Sequence, residues 1–270
     1  MTGTRCQIMG IVNVTPDSFY TGNRFASAEA AIDAACRMVD DGADRLDIGG
    51  ESSRPGGVAV SATEELRRVI PVVDGVHARY PAMPLSIDTT KAVVAQEAIA
   101  AGATMVNDIT AGRGDPAMMP VVATHGVSYL LMHMQGTPQT MQQAPHYDDV
   151  EREVGDFLAA RLRAATAAGI DPSRCYLDPG IGFGKRPDDN LRLLKALPRL
   201  IAGPTQWVLG VSRKSIIGFL LGGVAVEGRL EGSLALVAWG AWHGIAIVRV
   251  HDVAETRRFL TVWDAVASGG

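Results

Sequence analysis

Short apolar runs alternate with longer helical patterns along the whole chain, and this alternation constrains the fold more than any other feature. The apolar runs predict strands at 7–15, 44–50, 84–89, 103–109, 127–134, 174–179, 206–212 and 245–251. The patterns that follow them predict helices at 27–42, 61–79, 90–102, 116–126, 148–169, 187–201, 229–243 and 252–267. The sequence therefore consists of eight predicted βα units.

Two architectures would use such an alternation. A doubly wound open sheet has fewer strands and one point where the strand order reverses, whereas a closed (β/α)8 barrel needs eight units and about 250 residues. The chain has 270 residues, and no linker, low-complexity tract or charge run divides it. We therefore predict an α/β protein that forms one (β/α)8 TIM barrel domain over residues 1–270.

Composition and charge narrow the classes of ligand. Hydrophobic residues make up 47% of the chain, but no stretch approaches the roughly 20 apolar residues of a membrane span. The net charge is −4, and no run of Lys or Arg provides an electrostatic footprint for nucleic acid. The first residues lack the pattern of a secretory signal, and Cys6, Cys36 and Cys175 are too far apart for a CxxC site. These features predict a cytoplasmic protein that acts on small molecules.

Polar side chains follow nearly every predicted strand at its carboxyl end. In a (β/α)8 barrel the ligand site lies at this end of the strands. The residues are Asn13, Asp47, Asp88, Asn107, Asp108, His133, Asp178, Ser212, Arg213, Lys214, Arg249 and His251. Any one of them could merely cap the next helix, but the whole set predicts a site at the mouth of the barrel.

The chemistry of these residues suggests two kinds of ligand group. Carboxylate and amide groups suited to the edge of a flat, nitrogen-rich heterocycle are found in Asp88, Asn107 and Asp178. Groups suited to a phosphate or carboxylate are found in Arg54, Lys214, Arg249 and His251. Asn13 offers an oxygen to Mg²⁺, which usually keeps several waters and bridges to substrate phosphates. We therefore expect a ligand that combines a heterocycle with an anion.

The stretch GIGFGK, which ends at Lys185, resembles a phosphate-binding loop. Its spacing is shorter than that of a Walker A loop, and Lys185 precedes Arg186 in place of Ser or Thr. The sequence therefore argues against a nucleotide hydrolase.

Eight motifs, in order along the chain and at the ends of predicted strands, resemble the dihydropteroate synthase family. They are NVTPDSF at 13–19, DIGGESSRPG at 47–56, SIDT at 86–89, NDI at 107–109, MHMQGTPQTMQ at 132–142, LDPGIGFGK at 177–185, GVSRKS at 210–215 and RVHD at 249–252. The resemblance covers essentially the whole chain. It implies a pterin-binding barrel that condenses 6-hydroxymethyl-7,8-dihydropterin diphosphate with 4-aminobenzoate, giving 7,8-dihydropteroate and diphosphate for folate synthesis, with Mg²⁺ as cofactor.

The resemblance also implies roles for individual residues. The pterin pocket would be formed by Ser53, Asp88, Asn107, Asp178 and Lys214. The 4-aminobenzoate site would be formed by Arg54, Pro55, Phe183 and Ser212. The diphosphate would contact Asn13, Arg249 and His251, with Asn13 also on the metal. The residues carrying catalysis would be Asp88, Asp178, Lys214, Arg249 and His251.

The family resemblance further implies a mechanism, an inhibitor class and an assembly. Diphosphate leaves first, the pterin methylene becomes a delocalised cation, and the unprotonated aromatic amine attacks it, so no catalytic nucleophile is needed. Sulfonamides, which mimic 4-aminobenzoate, are expected to inhibit. The family forms homodimers, and the apolar helix that carries Trp239 and Trp242 suits such an interface.

Two other functions stay open on the sequence alone. A methyltetrahydrofolate methyltransferase would share the pterin-binding groups and work with a corrinoid partner, but it has no diphosphate for Arg249 and His251 to hold. A pterin-binding paralogue with weakened catalysis is the second alternative. It arises because Tyr20 and Thr21 stand where the family usually carries a loop aspartate, although Asp17 is present nearby.

Overall fold

Eight parallel strands close into a barrel in the computed structural model, which describes residues 5–14 and 28–267. The strands are β1 Gln7–Asn13, β2 Arg45–Gly49, β3 Leu85–Asp88, β4 Met105–Asp108, β5 Ser128–Met132, β6 Cys175–Asp178, β7 Gln206–Gly210 and β8 Ile247–Val250. Each strand pairs with the next in sequence, and β8 pairs with β1 to close the ring. The (β/α)8 prediction is therefore confirmed, whereas the domain limits 1–270 stay a prediction.

The helices of the described part lie between the strands in the expected order. They are α1 Ala28–Asp40, α2 Ala62–Arg79, α3 Ala92–Ala100, α4 Met118–His125, α5 Val150–Ala167, α6 Pro187–Leu200, α7 Ser215–Leu220, α8 Leu230–Trp242 and α9 Val253–Ala267. The sequence pattern does not predict α7, because its six residues are too few to show a helical period. None of the helices described here is long and apolar enough to cross a membrane.

Several strands are shorter than predicted, at their carboxyl ends and, in β4 and β8, at their amino ends as well. Strand β7 ends at Gly210, two residues before the predicted limit, and β5 ends at Met132. The residues beyond these ends leave the hydrogen-bonded ladder and turn over the mouth. Ser212 and Lys214 are therefore carried by loop backbone just above the barrel.

Two apolar clusters hold the layers together. The larger one combines strand and helix residues and fills the space between the barrel and its ring of helices. The smaller one is formed by strand residues alone, so it occupies the barrel interior; its members are Met9, Met105, Leu130, Tyr176, Val208 and Ile247. Because side chains fill the interior, a ligand can enter only above this layer, at the carboxyl end. Tyr20 and Thr21, whose effect the sequence leaves open, lie outside the described residues.

Candidate active site

A cavity of about 470 Å³ opens at the carboxyl ends of the strands. All of the residues to which the resemblance assigns a role line it: Asn13, Ser53, Arg54, Pro55, Asp88, Asn107, Asp178, Phe183, Ser212, Lys214, Arg249 and His251. Of the other polar residues predicted at the mouth, Arg213 lines the cavity, whereas Asp47, Asp108 and His133 do not. The twelve residues with assigned roles come from seven strands or the loops that follow them, and the first and last, Asn13 and His251, are far apart in the chain. The structure thus brings the predicted set together, while the role of each toward a given ligand stays a prediction.

A network of carboxylates and one arginine forms part of the cavity floor. Arg249 donates from Nε to Asp47 Oδ2 at 2.5 Å and from Nη2 to Asp88 Oδ2 at 2.7 Å. Asp88 lies opposite Gly49 on one neighbouring strand and opposite Asn107 on the other. A Cβ atom at Gly49 would approach the Cβ of Asp88 to 3.3 Å, so glycine leaves room for that carboxylate.

The surroundings of Asp88 and Arg249 shift their pKa values. Burial raises the pKa of Asp88 to about 7, although the nearby Arg249 opposes this shift. Burial also opposes the positive charge of Arg249, but Asp47 and Asp88 together hold its pKa above the usual value. Arg249 therefore stays charged, while Asp88 can gain or lose a proton near neutral pH.

Asp178 and Lys214 form a second polar pair, across Gly210. A Cβ atom at Gly210 would lie 3.6 Å from Asp178 Oδ2 and 3.7 Å from Lys214 Nζ, so both side chains converge on the glycine. Burial raises the pKa of Asp178, and Lys214 opposes that shift. Burial lowers the pKa of Lys214 to about 8, and Asp178 opposes that shift. This pair can present an acceptor and a donor side by side to one ligand edge.

The glycine-rich loop after β6 places Phe183 against Lys214. The backbone N–H of Gly180 donates to Asp178 Oδ1 at 2.7 Å, and the ammonium of Lys214 lies 4.7 Å from the centre of the Phe183 ring. Gly180 has φ of +65°, and a Cβ atom there would lie 1.9 Å from the carbonyl oxygen of His133. This contact requires glycine at position 180.

Lys185 lies beneath this loop and away from the cavity. Its buried Nζ donates to the carbonyl oxygens of Gly180 at 2.9 Å and Phe183 at 3.0 Å, and it lies 2.9 Å from His133 Nδ1. Burial lowers the pKa of Lys185, and burial with the neighbouring Lys185 lowers the pKa of His133 to about 2. The lysine therefore supports the loop and does not reach a phosphate, in agreement with the rejected Walker A assignment.

The loop after β2 carries Ser53, Arg54 and Pro55 to the cavity wall. Lys91 holds this loop to the barrel, because its Nζ donates to Glu51 and, at 2.5 Å, to the fully buried Glu65. Burial and then the charge of Arg249 lower the pKa of Arg54. An anion bound beside Arg54 would relieve this unfavourable electrostatic environment.

His251 is a neutral hydrogen-bonding group in this cavity and does not supply a positive charge. Burial, followed by the charges of Arg249 and Arg54, lowers the pKa of His251 to about 3. Ser212 Oγ accepts from the backbone N–H of His251 at 3.1 Å and lies 3.0 Å from its Nδ1. The hydroxyl and Nδ1 therefore form a second hydrogen bond, in which either atom can be the donor, and this bond fixes the orientation of the ring.

Asp47 is a buried polar residue of this network that the sequence places at the mouth but to which the family resemblance assigns no role. Its Oδ2 accepts from Arg249 and, at 2.9 Å, from Asn107 Nδ2, and its side chain is fully buried. The signal in the sequence is its position within β2, at the start of DIGGESSRPG. That signal marks a strand end, but it does not show which side chains Asp47 contacts.

Magnesium, which the family resemblance implies, fits the described residues as an ion carried by substrate phosphates. Over 5–14 and 28–267, no group of three or more His, Cys, Asp or Glu side chains could hold a metal ion. Asn13 ends β1, lines the cavity and offers a single amide oxygen. Mg²⁺ commonly keeps several waters and takes few protein ligands when it bridges phosphates, so one amide is sufficient.

Comparison with known proteins agrees with this geometry. Residues 9–251 match the family model described as pterin binding enzyme. The dihydropteroate synthase of Synechocystis sp. is 42% identical to the chain over 264 residues, which cover 98% of this chain and 91% of that protein.

Solved structures are similarly close in fold. The dihydropteroate synthase of Yersinia pestis, solved with a sulfonamide drug, has a TM-score of 0.94 and 42% identity and covers 98% of this chain and 95% of its own. The enzyme of Xanthomonas albilineans, solved with 7,8-dihydropteroate, has a TM-score of 0.88 and 47% identity and covers 100% of this chain and 97% of its own.

Proposed function

The chain belongs to the dihydropteroate synthase family of pterin-binding enzymes, and we propose that its cavity joins a dihydropterin diphosphate to 4-aminobenzoate. The observation that carries this proposal is the arrangement of opposite chemistries in one cavity. The acceptors Asp88, which is partly buried, and Asn107 and Asp178, which are buried, adjoin the cations Lys214 and Arg249. A heterocycle that carries an anionic leaving group matches both sets at once.

The acceptors hold the pterin and stabilise the cation that forms on it. The bond between the pterin methylene carbon and the diphosphate oxygen breaks, and its electron pair leaves with the oxygen. Positive charge then spreads into the ring, where the preorganised carboxylates of Asp88 and Asp178 stabilise it. Lys214 and Ser53 complete the pterin pocket in this proposal.

The donors hold the departing diphosphate. Arg249 contributes a permanent positive charge, and His251 contributes a polar ring at the same part of the cavity. Magnesium, when bound to the diphosphate, supplies further charge neutralisation, and Asn13 is the residue that would hold it. The neutral state of His251 is expected to change when the anion binds, because a nearby negative charge raises the pKa of an imidazole.

The amine is held at the cavity wall formed by two loops. Pro55 and Phe183 present apolar surface for its ring, Arg54 offers donors to its carboxylate, and Ser212 completes this part of the cavity lining. The amine nitrogen attacks the methylene carbon to form the new C–N bond and then loses one proton. A free amine needs no activation for this step. The step also needs no nucleophile from the enzyme, and the three described cysteines are all buried.

The assay that tests the function follows diphosphate release from the pterin diphosphate with Mg²⁺, with and without 4-aminobenzoate. We expect 7,8-dihydropteroate to form only with the amine, and a sulfonamide to inhibit competitively against it, because both compounds would occupy the Arg54–Phe183 wall. Pterin binding without diphosphate release, both with and without 4-aminobenzoate, would contradict the synthase function and support the binding paralogue. Methyl transfer from methyltetrahydrofolate to a corrinoid would support the other alternative.

The enzyme is also proposed to be a homodimer that uses the face formed by α8 and α9. Large apolar side chains exposed on these two helices are Trp239, Trp242, Val262 and Val266. Trp242 packs edge-to-face on Trp263 at 6.1 Å, which joins α8 and α9 into one surface. An exposed apolar surface of this kind is typical of an interaction site, and a second copy would cover it.

Light scattering after size exclusion tests this assembly. The protein is expected to elute as a dimer, and Trp242→Glu as a monomer, because a carboxylate would be buried in the interface. Val93→Glu is the matched control, since Val93 is an exposed apolar residue on α3, away from this face. A monomeric parent protein, or a dimeric Trp242→Glu variant, would refute the proposed interface.

Location in the cytoplasm stays a prediction.

A further inference from the structure

Asp47 touches two proposed ligand-binding side chains without lining the cavity itself. It lies in β2, with Ile11 opposite on β1 and Ser86 opposite on β3. Its Oδ2 receives both the Arg249 and the Asn107 hydrogen bonds, and within the described residues its buried Oδ1 has no hydrogen-bond partner. The hydrogen bonds of Asp47 therefore reach a ligand only through these two partners.

The carboxylate determines which end of the Asn107 amide faces Asp47. An ionised carboxylate only accepts hydrogen bonds, so the NH₂ group of Asn107 must be the end that lies 2.9 Å from Asp47 Oδ2. The opposite orientation would bring two acceptor oxygens to that distance in a buried site. Asn107 therefore presents its carbonyl oxygen, an acceptor, on the side away from Asp47.

The same carboxylate also fixes the plane of the Arg249 guanidinium. Asp47 holds Nε, and Asp88 holds Nη2, so two of its five N–H groups are committed to carboxylates. The two contacts lie on different nitrogens and prevent rotation of the planar group. The other N–H groups are then held in a fixed direction for an anion.

We propose that Asp47 is a positioning residue that selects the ligand edge by orienting the Asn107 amide and that orients Arg249 for the anion. With Asp47 in place and Asp88 ionised, Asn107, Asp88 and Asp178 are all acceptors, so the part of the ring edge that faces these three groups must consist of donors. A 2-amino-4-oxo pteridine presents an amino group and a ring N–H along that edge. A 2,4-dioxo pteridine of nearly the same shape replaces the amino group with an acceptor oxygen, and the site rejects it. This inference rests on the proposed pterin site.

The test compares the binding of these two pteridines, which requires no turnover. In the parent protein we expect the 2-amino compound to bind about 100-fold more tightly than the dioxo compound, since an acceptor would face buried acceptors. Asp47→Asn releases the Asn107 amide to turn, so the ratio should fall about tenfold. Ser86→Ala is the matched control, because Ser86 is the buried neighbour of Asp47 in register and its hydroxyl has no partner within the described residues. Its ratio should stay within about twofold of the parent.

A double-mutant cycle separates positioning from general damage to the fold. Because Asp47 acts through Asn107, Asp47→Asn should change the ratio less than about twofold in an Asn107→Ala background. Equal effects in both backgrounds would overturn the inference, and so would an unchanged ratio in Asp47→Asn. If Asp47→Asn does not fold, Asp47→Ser keeps one acceptor, removes the buried charge and must give the same pattern. A parent protein that binds neither pteridine would instead refute the proposed function on which the inference rests.

Discussion

Replacing Asp178 with Asn is expected to lower kcat/KM about 1,000-fold while the protein stays folded. In the proposed site the carboxylate accepts hydrogen bonds from the donor edge of the pterin, and charged hydrogen bonds are each worth about 1.5–3 kcal/mol. An Asn side chain would turn an N–H group toward ligand N–H groups or leave one donor without a partner. Two such bonds correspond to a loss of roughly 100- to 10,000-fold.

The Asp178→Asn protein should nevertheless unfold at nearly the parent temperature. Burial raises the pKa of Asp178, so its ionised form costs stability at neutral pH, and the amide removes that cost. The Gly180 N–H can still donate to the amide oxygen. Lys214 loses a favourable neighbour, but its pKa is already lowered to about 8, and it can release its proton.

Steady-state kinetics, pterin binding and thermal unfolding of Asp178→Asn measure these expectations. Asp44→Asn is the matched control, because Asp44 lies before β2, at the opposite end of the barrel, where it pairs with Arg257 at 2.6 Å. That variant should lose some stability and keep its activity. Near-parent turnover by Asp178→Asn would remove this carboxylate from the proposed mechanism.

Replacing Arg249 with Met is expected to lower kcat/KM about 1,000-fold and also to destabilise the fold. The variant removes the permanent positive charge proposed to stabilise the departing diphosphate. The expected loss of kcat/KM is similar to that caused by removing other preorganised hydrogen-bond donors. It also leaves Asp47 and Asp88 as buried carboxylates without their cation. Removing one partner of a buried ion pair typically costs about 3–5 kcal/mol.

The stability loss of Arg249→Met should depend on pH in a defined direction. Arg249 lowers the pKa of Asp88, which burial has raised to about 7, so its removal raises that pKa further. A carboxyl whose pKa is higher in the folded state than in the unfolded state binds protons more tightly when folded. Stability therefore increases as pH falls through the folded pKa toward the unfolded value near 4. The free energy of unfolding that the variant loses relative to the parent should be largest near pH 8 and smaller near pH 5.5.

Denaturant unfolding at these two pH values provides the measurement. Arg257→Met is the control, since Arg257 pairs with Asp44 at the amino end of the barrel and is not part of the cavity. Its deficit should change little over the same range, and its kcat/KM should stay near the parent value. If Arg249→Met loses the same free energy of unfolding at both pH values, the carboxylate partners of Arg249 do not cause the instability.

Much of the fold and the membership of the site could be predicted from the sequence. Strand and helix periods are local properties, so eight βα units are visible without tertiary contacts, and their number indicates closure into a barrel. Once closure is assumed, the residues after each strand must meet at one mouth. Asn13, Asp88 and Lys214 could be grouped in this way although they are far apart in the chain.

Helix α7 and the function of Lys185 could not be predicted in the same way. A helix of six residues shows less than two turns of period, which a pattern cannot distinguish from an apolar loop. Lys185 follows a glycine-rich stretch, as phosphate-binding lysines do, and only its burial beneath the Gly180–Phe183 turn shows that it supports backbone.

The sequence by itself determined most of the residues that reach the cavity, because the number and order of the strands follow from local apolar patterns. Only the tertiary structure decided what those residues do to one another. The Asn107 amide is oriented by Asp47, and Arg249 is held by carboxylates from two other strands. His251 is neutral because burial and neighbouring cations lower its pKa to about 3. Charge state and hydrogen-bond direction depend on distances between residues that are remote in the chain, and those distances exist only after the barrel closes.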